Sequence, residues 1–225
     1  MTDLWTPLLL SLKVASWATL FAALFGVGLA FLLSRWHSPL CSLADSILTL
    51  PLVLPPTVIG YYLLVLLGRR GVVGEWLASF GIELVFTWQG AVIAATIVAF
   101  PLVLKSARAA FEEVDHRLEG VGYVLGLSRI QVFLRVSLPL AMRGIMAGVL
   151  LAFARALGEF GATLMIAGSI PGRTQTLSIA IYEAVQSGNE HAALVLVAVT
   201  SITCVTVLWL ASLLTPAQQR HRRLR

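Results

Sequence analysis

The sequence predicts an all-α integral membrane protein with about five transmembrane helices. Of its 225 residues, 58% are hydrophobic and only 12% are charged. The mean hydropathy of +0.89 lies far above that of soluble domains. The apolar residues form continuous runs and lack the alternation that marks lipid-facing strands. Because every backbone amide in lipid must bond internally, such runs indicate helices.

Each predicted span is an apolar run close to the roughly 20 residues that a crossing requires. In chain order the runs are 8–33, 47–67, 91–104, 145–167 and 192–214. The third is short and must extend into 86–90 or 105–110 to cross. A further apolar stretch, 177–186, is too short to cross alone and is predicted to be a re-entrant or interfacial helix on the outer side.

Proline marks the second run, which contains Pro51, Pro55 and Pro56. Proline frees a carbonyl and kinks a helix, so this span is expected to bend. The bend either lines a central path or serves packing alone.

Lysine and arginine are distributed unevenly over the segments between the runs. The richer alternating set comprises Arg35, Lys105, Arg108, Arg117, Arg129, Arg135, Arg143, Arg220, Arg222, Arg223 and Arg225, and the poorer set comprises Arg69, Arg70 and Arg173. Because positive residues accumulate on the inner side, the N-terminus is predicted outside and the C-terminus inside. Orientation thus accounts for the net charge of +5 without nucleic acid as a partner. The last four arginines are expected to contact anionic lipid headgroups.

The longest inner segment, 109–141, combines charge with a periodic apolar pattern. Tyr123, Leu127, Ile130 and Leu134 recur at the spacing of one helical stripe, which predicts a short amphipathic helix. Such a helix lies on lipid headgroups or docks into the groove of a partner protein.

Motifs for chemistry on this chain are missing from the sequence. It contains no phosphate-binding G-x-x-x-x-G-K-[ST] loop and no G-x-S-x-G elbow. The four histidines form no cluster with cysteine or carboxylate suited to a metal. We therefore predict no ATP hydrolysis on this chain, no metal and no cofactor.

Segment 109–141 also carries a family resemblance. Gly126, nine further residues and then Val136-x-Leu138-Pro139 match the G-x9-[IV]-x-L-P signature of the inner-membrane permease subunits of bacterial ABC importers. The family's E-A-A triplet would occupy 120–122, where this chain has Gly-Val-Gly preceded by Glu119. Two more stretches, 50–71 and 153–182, resemble the corresponding regions of molybdate permeases.

The resemblance implies the type I ABC importer permease fold, with 1–225 as one transmembrane domain and 109–141 as the loop that couples it to an ATPase. Gly126 would permit a sharp turn between two short helices, and Pro139 would begin the next span. The coupling residues are expected to be Glu119, Gly120, Gly126, Leu127, Arg129, Ile130 and Pro139.

The partners implied are two cytoplasmic ATPase subunits, a periplasmic molybdate-binding protein and a second copy of the chain. A five-span unit with half a pathway is expected to pair about a two-fold axis. The location implied is the bacterial inner membrane, with the N-terminus periplasmic. Sulfate or tungstate remain alternative substrates. An alternative of another class is a small membrane enzyme acting on lipid-linked substrates, with Glu112, Glu113, Asp115 and His116 as its polar group.

One set of polar residues is a candidate for the transport path, and another is a candidate for docking a binding protein. Arg155 lies about 16 Å into a span that begins near Gly144, a depth at which a charge faces the bundle interior or a cavity. Either it pairs with Glu159 one turn away, or it attracts a passing dianion while Glu159 prevents tight binding. Thr163, in a stretch that resembles molybdate permeases, joins this pathway set. The candidates for docking a binding protein on the outer side are Arg69, Arg70, Arg173 and Glu183.

Overall fold

The structure, a computed structural model, describes residues 4–36 and 38–214. Within those ranges the regular elements are helical and no strand occurs. The α-helices are α1 (Trp5–Arg35), α2 (Pro39–Thr49), α3 (Pro56–Leu67), α4 (Val72–Ala78), α5 (Trp88–Glu112), α6 (His116–Val124), α7 (Arg129–Val132), α8 (Leu138–Leu157), α9 (Gly161–Ala167), α10 (Leu177–Gln186) and α11 (Glu190–Leu214). A 3-10 turn, Leu50–Leu52, follows α2, and a π-helical segment, Phe133–Ser137, joins α7 to α8.

The core forms where α1, α5 and α8 pack together. Its buried face is built largely from alanine, for example Ala18 on α1, Ala95 on α5 and Ala152 on α8. Small residues let helix backbones approach closely. Membrane helices depend on such van der Waals packing because the hydrophobic effect does not favour contact with another helix over contact with lipid. At Gly26 the approach is so close that an added Cβ would lie 3.1 Å from Val103 Cγ1.

Four helical stretches in the described residues are long and apolar enough to cross a membrane: Trp5–Arg35, Trp88–Glu112, Arg129–Leu157 and Glu190–Leu210. A fifth crossing requires α2 with its 3-10 turn and α3, which meet at 105°. The bend predicted from the proline cluster is therefore confirmed. The third span extends at both ends, as its short apolar run required.

The fourth span differs from the prediction. The run 145–167 is not one helix, because α8 ends at Leu157 and α9 begins only at Gly161. Gly158 and Phe160 leave helical geometry, at φ −90°, ψ 9° and φ −128°, ψ −59° respectively. Hydropathy cannot reveal this break, since both pieces are apolar.

The bundle has two distinct ends. The loop end carries α6, α7 and the last residue of α1, Arg35. The far end carries the start of α1, where Ser11 Oγ accepts a hydrogen bond of 2.8 Å from Leu177 N–H of α10. The stretch 177–186 is a short helix, as predicted, and packs against α11 through Leu177 and Leu196. The basic residues 220–225 lie outside the described residues.

Candidate functional site

The segment at the loop end is made of two short helices joined by a tight turn. Gly126 adopts φ +83°, in the left-handed region that favours glycine, and Leu127 N–H donates to Gly122 O at 3.1 Å. Ser128 and Gln131 then cap α7 reciprocally, with hydrogen bonds of 3.3 and 2.8 Å. The turn expected at Gly126 is confirmed.

A single amphipathic stripe across this segment is wrong. Tyr123 belongs to α6, Leu127 to the turn, and Ile130 and Leu134 to the helices beyond it. The left-handed glycine and the capping box stop one helix and start another, so the four residues cannot share a face. Gly122 allows the two helices to approach closely, since an added Cβ there would lie 3.1 Å from Val132 Cγ2.

The tip of this segment exposes apolar side chains. Val124, Leu125 and Ile130 are 88%, 75% and 72% exposed. Leu127 is half-buried, whereas Gly120 and Arg129 are exposed beside it. The result is an apolar knob, formed by Val124, Leu125 and Ile130, within a basic segment.

Pro139 does not begin a separate helix. The chain is helical without interruption from Arg129 to Leu157, and Leu138 N–H donates to Phe133 O, five residues back. Proline has no N–H, and its ring displaces the carbonyl four residues earlier, so the widened π turn accommodates it. The loop is thus continuous with the span that follows.

Glu119 points into the chain rather than toward a partner. Its residue is 8% exposed, and Oε1 accepts hydrogen bonds from Arg35 Nη2 of α1 and from Ser137 Oγ, the latter at 2.5 Å. Arg35 Nη1 lies 2.7 Å from His116 Nδ1, which must accept because a guanidinium only donates. His116 Nδ1 is also 3.4 Å from Glu119 Oε2, but a nitrogen that accepts from Arg35 carries no proton and cannot donate to Glu119.

A second ionic group joins α2 to α5 near the loop end. Asp45 accepts from Lys105 Nζ at 2.5 Å and lies 3.1 Å from Arg108 Nη1. Arg108 also pairs with Glu112 at 2.8 Å. Asp115 caps α6 by accepting from Arg117 N–H at 2.8 Å. Glu112 and Asp115, two of the acidic residues near His116, therefore serve as an ion-pair partner and a helix cap.

Arg155 and Glu159 form the pair that their spacing predicted, although they do not share a helix. Arg155 ends α8, and Glu159 lies in the break before α9. Their charged atoms are 2.8 Å apart, at an angle too poor for a hydrogen bond. Glu159 Oε1 accepts from Ala162 N–H at 2.9 Å and so caps α9. The Glu159 side chain is 1% exposed and that of Arg155 is 34% exposed.

The depth of Arg155 follows from the contacts between α8 and α5. A Cβ added at Gly144 would lie 2.5 Å from Ala110 Cβ, and one added at Gly148 would lie 2.5 Å from Ser106 Cβ. Residue numbers rise along α8 as they fall along α5, so the two helices run antiparallel. Arg155 is seven residues beyond Gly148, or roughly 10 Å, which places it level with about residue 99 of α5. That level is close to the middle of the span Trp88–Glu112.

The two broken spans meet at their breaks. An added Cβ at Gly161 would lie 3.1 Å from Pro56 Cβ, and one at Gly60 would lie 2.9 Å from Ala162 Cα. The start of α3 is therefore packed directly on the start of α9. Thr163 of α9 is only 1% exposed, so it lies in the interior of the chain rather than on a surface.

The four docking candidates all lie at the far end, in two groups. Arg69 pairs with Glu83 at 2.8 Å, with side chains 81% and 54% exposed, and Arg70 is exposed beside it. Arg173 is exposed, whereas Glu183 is half-buried and accepts from Gln175. All four candidates therefore lie at the same end of the bundle, with Arg69 and Arg70 in one group and Arg173 and Glu183 in the other.

Sequence reasoning missed the partners of several charged residues. Arg35 entered only as a marker of orientation, and Ser137 and Asp45 did not enter at all. Their contacts span 84, 18 and 60 positions in sequence. No local pattern signals contacts of that length. Among the residues that the structure describes, no group of three or more His, Cys, Asp or Glu is arranged to hold a metal ion.

Comparison with known proteins identifies the class. The family described as "Binding-protein-dependent transport system inner membrane component" matches residues 22–220, and the chain belongs to it. It is thus a multi-pass inner-membrane subunit of an ABC importer, and ATP hydrolysis belongs to a partner subunit. The small-enzyme alternative is set aside.

Individual relatives show which kinds of ABC permease the chain is similar to. The chain is 47% identical over 213 residues to the molybdenum transport system permease protein ModB of Escherichia coli K12, covering 92% of this chain and 93% of that protein. It is 44% identical over 179 residues to ModB of Haemophilus influenzae, covering 79% of this chain and 78% of that protein. It is 36% identical over 206 residues to the sulfate transport system permease protein CysT of E. coli K12, covering 92% and 74%.

The fold is shared with solved ABC transporters. A chain of the MetNI methionine transporter, described as inward facing, aligns with a TM-score of 0.77 at 15% identity, covering 96% of this chain and 98% of that one. A chain of an alginate transporter in complex with its periplasmic protein aligns with a TM-score of 0.73 at 16% identity, covering 94% and 77%. The predicted type I ABC importer permease fold is confirmed.

Proposed function

We propose that the chain is the permease subunit through which molybdate crosses the bacterial inner membrane, driven by ATP hydrolysis on a separate ATPase. Sequence identity supports this choice of substrate. The chain is 47% identical over nearly its whole length to a molybdenum permease and 36% identical to a sulfate permease. Sulfate is the second candidate, and tungstate, which shares the tetrahedral dianion chemistry, is an outcome of the test.

The orientation we propose places the loop end in the cytoplasm and the start of α1 in the periplasm. Support comes from the basic residues, since Lys105, Arg108, Arg117, Arg129, Arg135 and Arg143 all belong to the loop end or the helix ends that meet there. Positive residues accumulate on the inner side of membranes. The far end, with Arg69, Arg70, Arg173 and Glu183, would then receive the periplasmic molybdate-binding protein.

The apolar knob at the loop end is the proposed contact with the ATPase. Val124, Leu125 and Ile130 are largely exposed where the loop joins the span that follows it, and exposed apolar groups of this kind mark interaction sites. Leu127 and Gly126 set its shape, and Arg129 supplies charge at its edge. Because α7 continues into α8, displacement of the knob would be carried directly into a span. Alternating access would follow from such tilting.

A homodimer is proposed from the surface position of Arg155. Its side chain is 34% exposed at mid-depth, where a charge facing lipid is costly. A second copy related by a two-fold axis would cover that surface and enclose a path between two such arginines.

Within that path Arg155 would attract the anion. Glu159 is held by Arg155 and by the start of α9, so it partly neutralises the guanidinium. Partial neutralisation keeps the site weak, as conduction requires. Thr163 is buried, so it would act only if a movement of α9 during the transport cycle exposed it to the path.

The test is uptake by the reconstituted importer, containing this chain, its ATPase and its binding protein. Labelled molybdate should accumulate with ATP, and a large excess of sulfate should compete weakly. Accumulation of sulfate or tungstate in preference to molybdate would identify that anion as the substrate instead. Failure of an ATPase to co-purify would overturn the coupling proposal.

The Arg155→Gln variant tests the pathway, with Glu159→Gln as the matched control. We expect Arg155→Gln to assemble normally and lose uptake, whereas Glu159→Gln retains the cap on α9 and some uptake. If instead both variants fail to assemble and the double variant recovers, the pair is structural and Arg155 does not contact the anion.

A further inference from the structure

The contacts of Glu119 suggest a role inside the chain that differs from a contact with the ATPase. Glu119 lies on α6, Arg35 ends α1, and Ser137 ends the π-helical segment at the foot of α8. One carboxylate oxygen accepts from both other residues. Three elements that are far apart in sequence therefore meet at a single atom.

We propose that Glu119 is a positioning residue that couples the displacement of α6 to α1 as well as to α8. This inference rests on the proposed coupling of the loop to an ATPase. Without Glu119, α6 reaches the spans through its chain connections, its packing on α7 and the π-helical segment, and the exposed hydrogen bond between His116 and Arg35. Glu119 adds a buried ionic link to the inner end of α1, a 31-residue helix.

Burial makes this link stiff. Ser137 is 1% exposed, and the side chains of Glu119 and Arg35 are 10% and 19% exposed. Charged groups withdrawn from water interact more strongly than surface pairs and are costly to separate, so they tend to move together. The loop helices and α1 are thus expected to shift as one body.

An aromatic cluster supports the same end of α1. The Phe31 ring lies 4.5 Å from that of Phe133 and 5.3 Å from that of Phe111, between ring centroids. The Arg35 guanidinium lies 5.1 Å from the Phe31 ring centroid, within cation–π range. The Phe31 ring, packed against α5 and the π-helical segment, therefore supports Arg35 from within the bundle, and Glu119 and His116 both link Arg35 to α6.

The π turn explains why Ser137 can join the link. A π turn adds one residue to the helical repeat and so rotates the residues that precede the next regular turn. This turn accommodates Pro139, as described above. The signature proline would thereby orient a hydroxyl toward Glu119 in addition to shaping the span.

The test measures molybdate transported per ATP hydrolysed in the full complex. We expect Glu119→Gln to retain ATPase co-purification and ATP hydrolysis, while transport per ATP falls about fivefold or more. The exposed neighbour variant Glu113→Gln is the matched control and should behave as the unmodified chain. Reversal of the pair, Arg35→Glu with Glu119→Arg, should recover at least part of the transport lost in either single reversal.

Several results would overturn the inference. Loss of ATPase co-purification in Glu119→Gln but not in Arg35→Gln would make Glu119 a direct ATPase contact. Unchanged transport per ATP, or no recovery in the reversed pair, would make the link irrelevant to coupling. If Glu119→Gln is not found in the membrane, Ser137→Ala removes one hydrogen bond without changing charge and should lower the same ratio. Failure of the unmodified chain to bind an ATPase would refute the proposed function instead.

Discussion

The crossing of α3 and α9 should be intolerant of any side chain at Gly60. A Cβ there would lie 2.6 Å from Met165 Cβ and 2.9 Å from Ala162 Cα, whereas ordinary Cβ contacts begin at 3.4 Å. In the variant Gly60→Val, Met165 would have to retreat by about 0.8 Å and the α9 backbone by about 0.5 Å, with two further methyl groups still to place. The backbone contact cannot be relieved by a change of rotamer.

The expected cost is at the upper end of overpacking, about 3 kcal/mol. For a chain of this length that corresponds to a fall in melting temperature of roughly 6–12 °C. The control is Gly28→Val on α1, where an added Cβ meets nothing within 4 Å. Both substitutions change helix propensity equally, by a few tenths of a kcal/mol in favour of valine, so their difference reports packing alone.

The assay is thermal unfolding of each purified variant in the same detergent, with uptake measured in parallel. Gly60→Val should unfold at a lower temperature than Gly28→Val and lose transport, because the two broken spans can no longer meet. If the two variants unfold within about 2 °C of each other, the close approach of α3 and α9 is refuted.

Two further predictions concern the loop end. Gly126→Ala forces a side chain into φ +83°, so it should lower the free energy of unfolding by about 1–3 kcal/mol and weaken ATPase co-purification. The control Gly120→Ala places a methyl group in open space on α6 and should leave stability unchanged or raise it. Equal losses of stability in the two variants would contradict the left-handed turn. Asp45→Asn should lower the free energy of unfolding by about 1–3 kcal/mol, because Lys105 and Arg108 lose their shared, 15% exposed carboxylate. Its control, Glu83→Gln, breaks a pair whose side chains are 81% and 54% exposed and should cost under about 1 kcal/mol; the reverse order, measured by denaturant unfolding, would refute the assignment.

What sequence could predict here was local and compositional. The apolar runs located the crossings, because lipid requires about 20 apolar residues in each. Pro55 and Pro56 predicted the bend of the second span, and Gly126 predicted the turn of the loop, since each restricts or permits backbone angles by itself. The i, i+4 spacing of Arg155 and Glu159 predicted their pairing.

Where several local signals competed, pattern reasoning failed. The stripe from Tyr123 to Leu134 has helical spacing, but Gly126 and the Ser128 cap end that helix within the pattern. The break at 158–160 carries no proline, so it is seen only in the structure, in the backbone angles of Gly158 and Phe160 and in the capping of α9 by Glu159.

The sequence alone determined the lipid environment of this protein, the approximate position of its apolar spans, and the segment that leaves the membrane, because these depend on composition and on neighbouring residues. Only the tertiary structure decided which charges meet. Arg35, Glu119 and Ser137 converge because α1, α6 and the π turn are packed at one end of the bundle, and the breaks of two spans meet because Gly60 and Gly161 admit a neighbouring backbone. Contacts between distant segments depend on how helices pack, and that packing is a property of the whole chain.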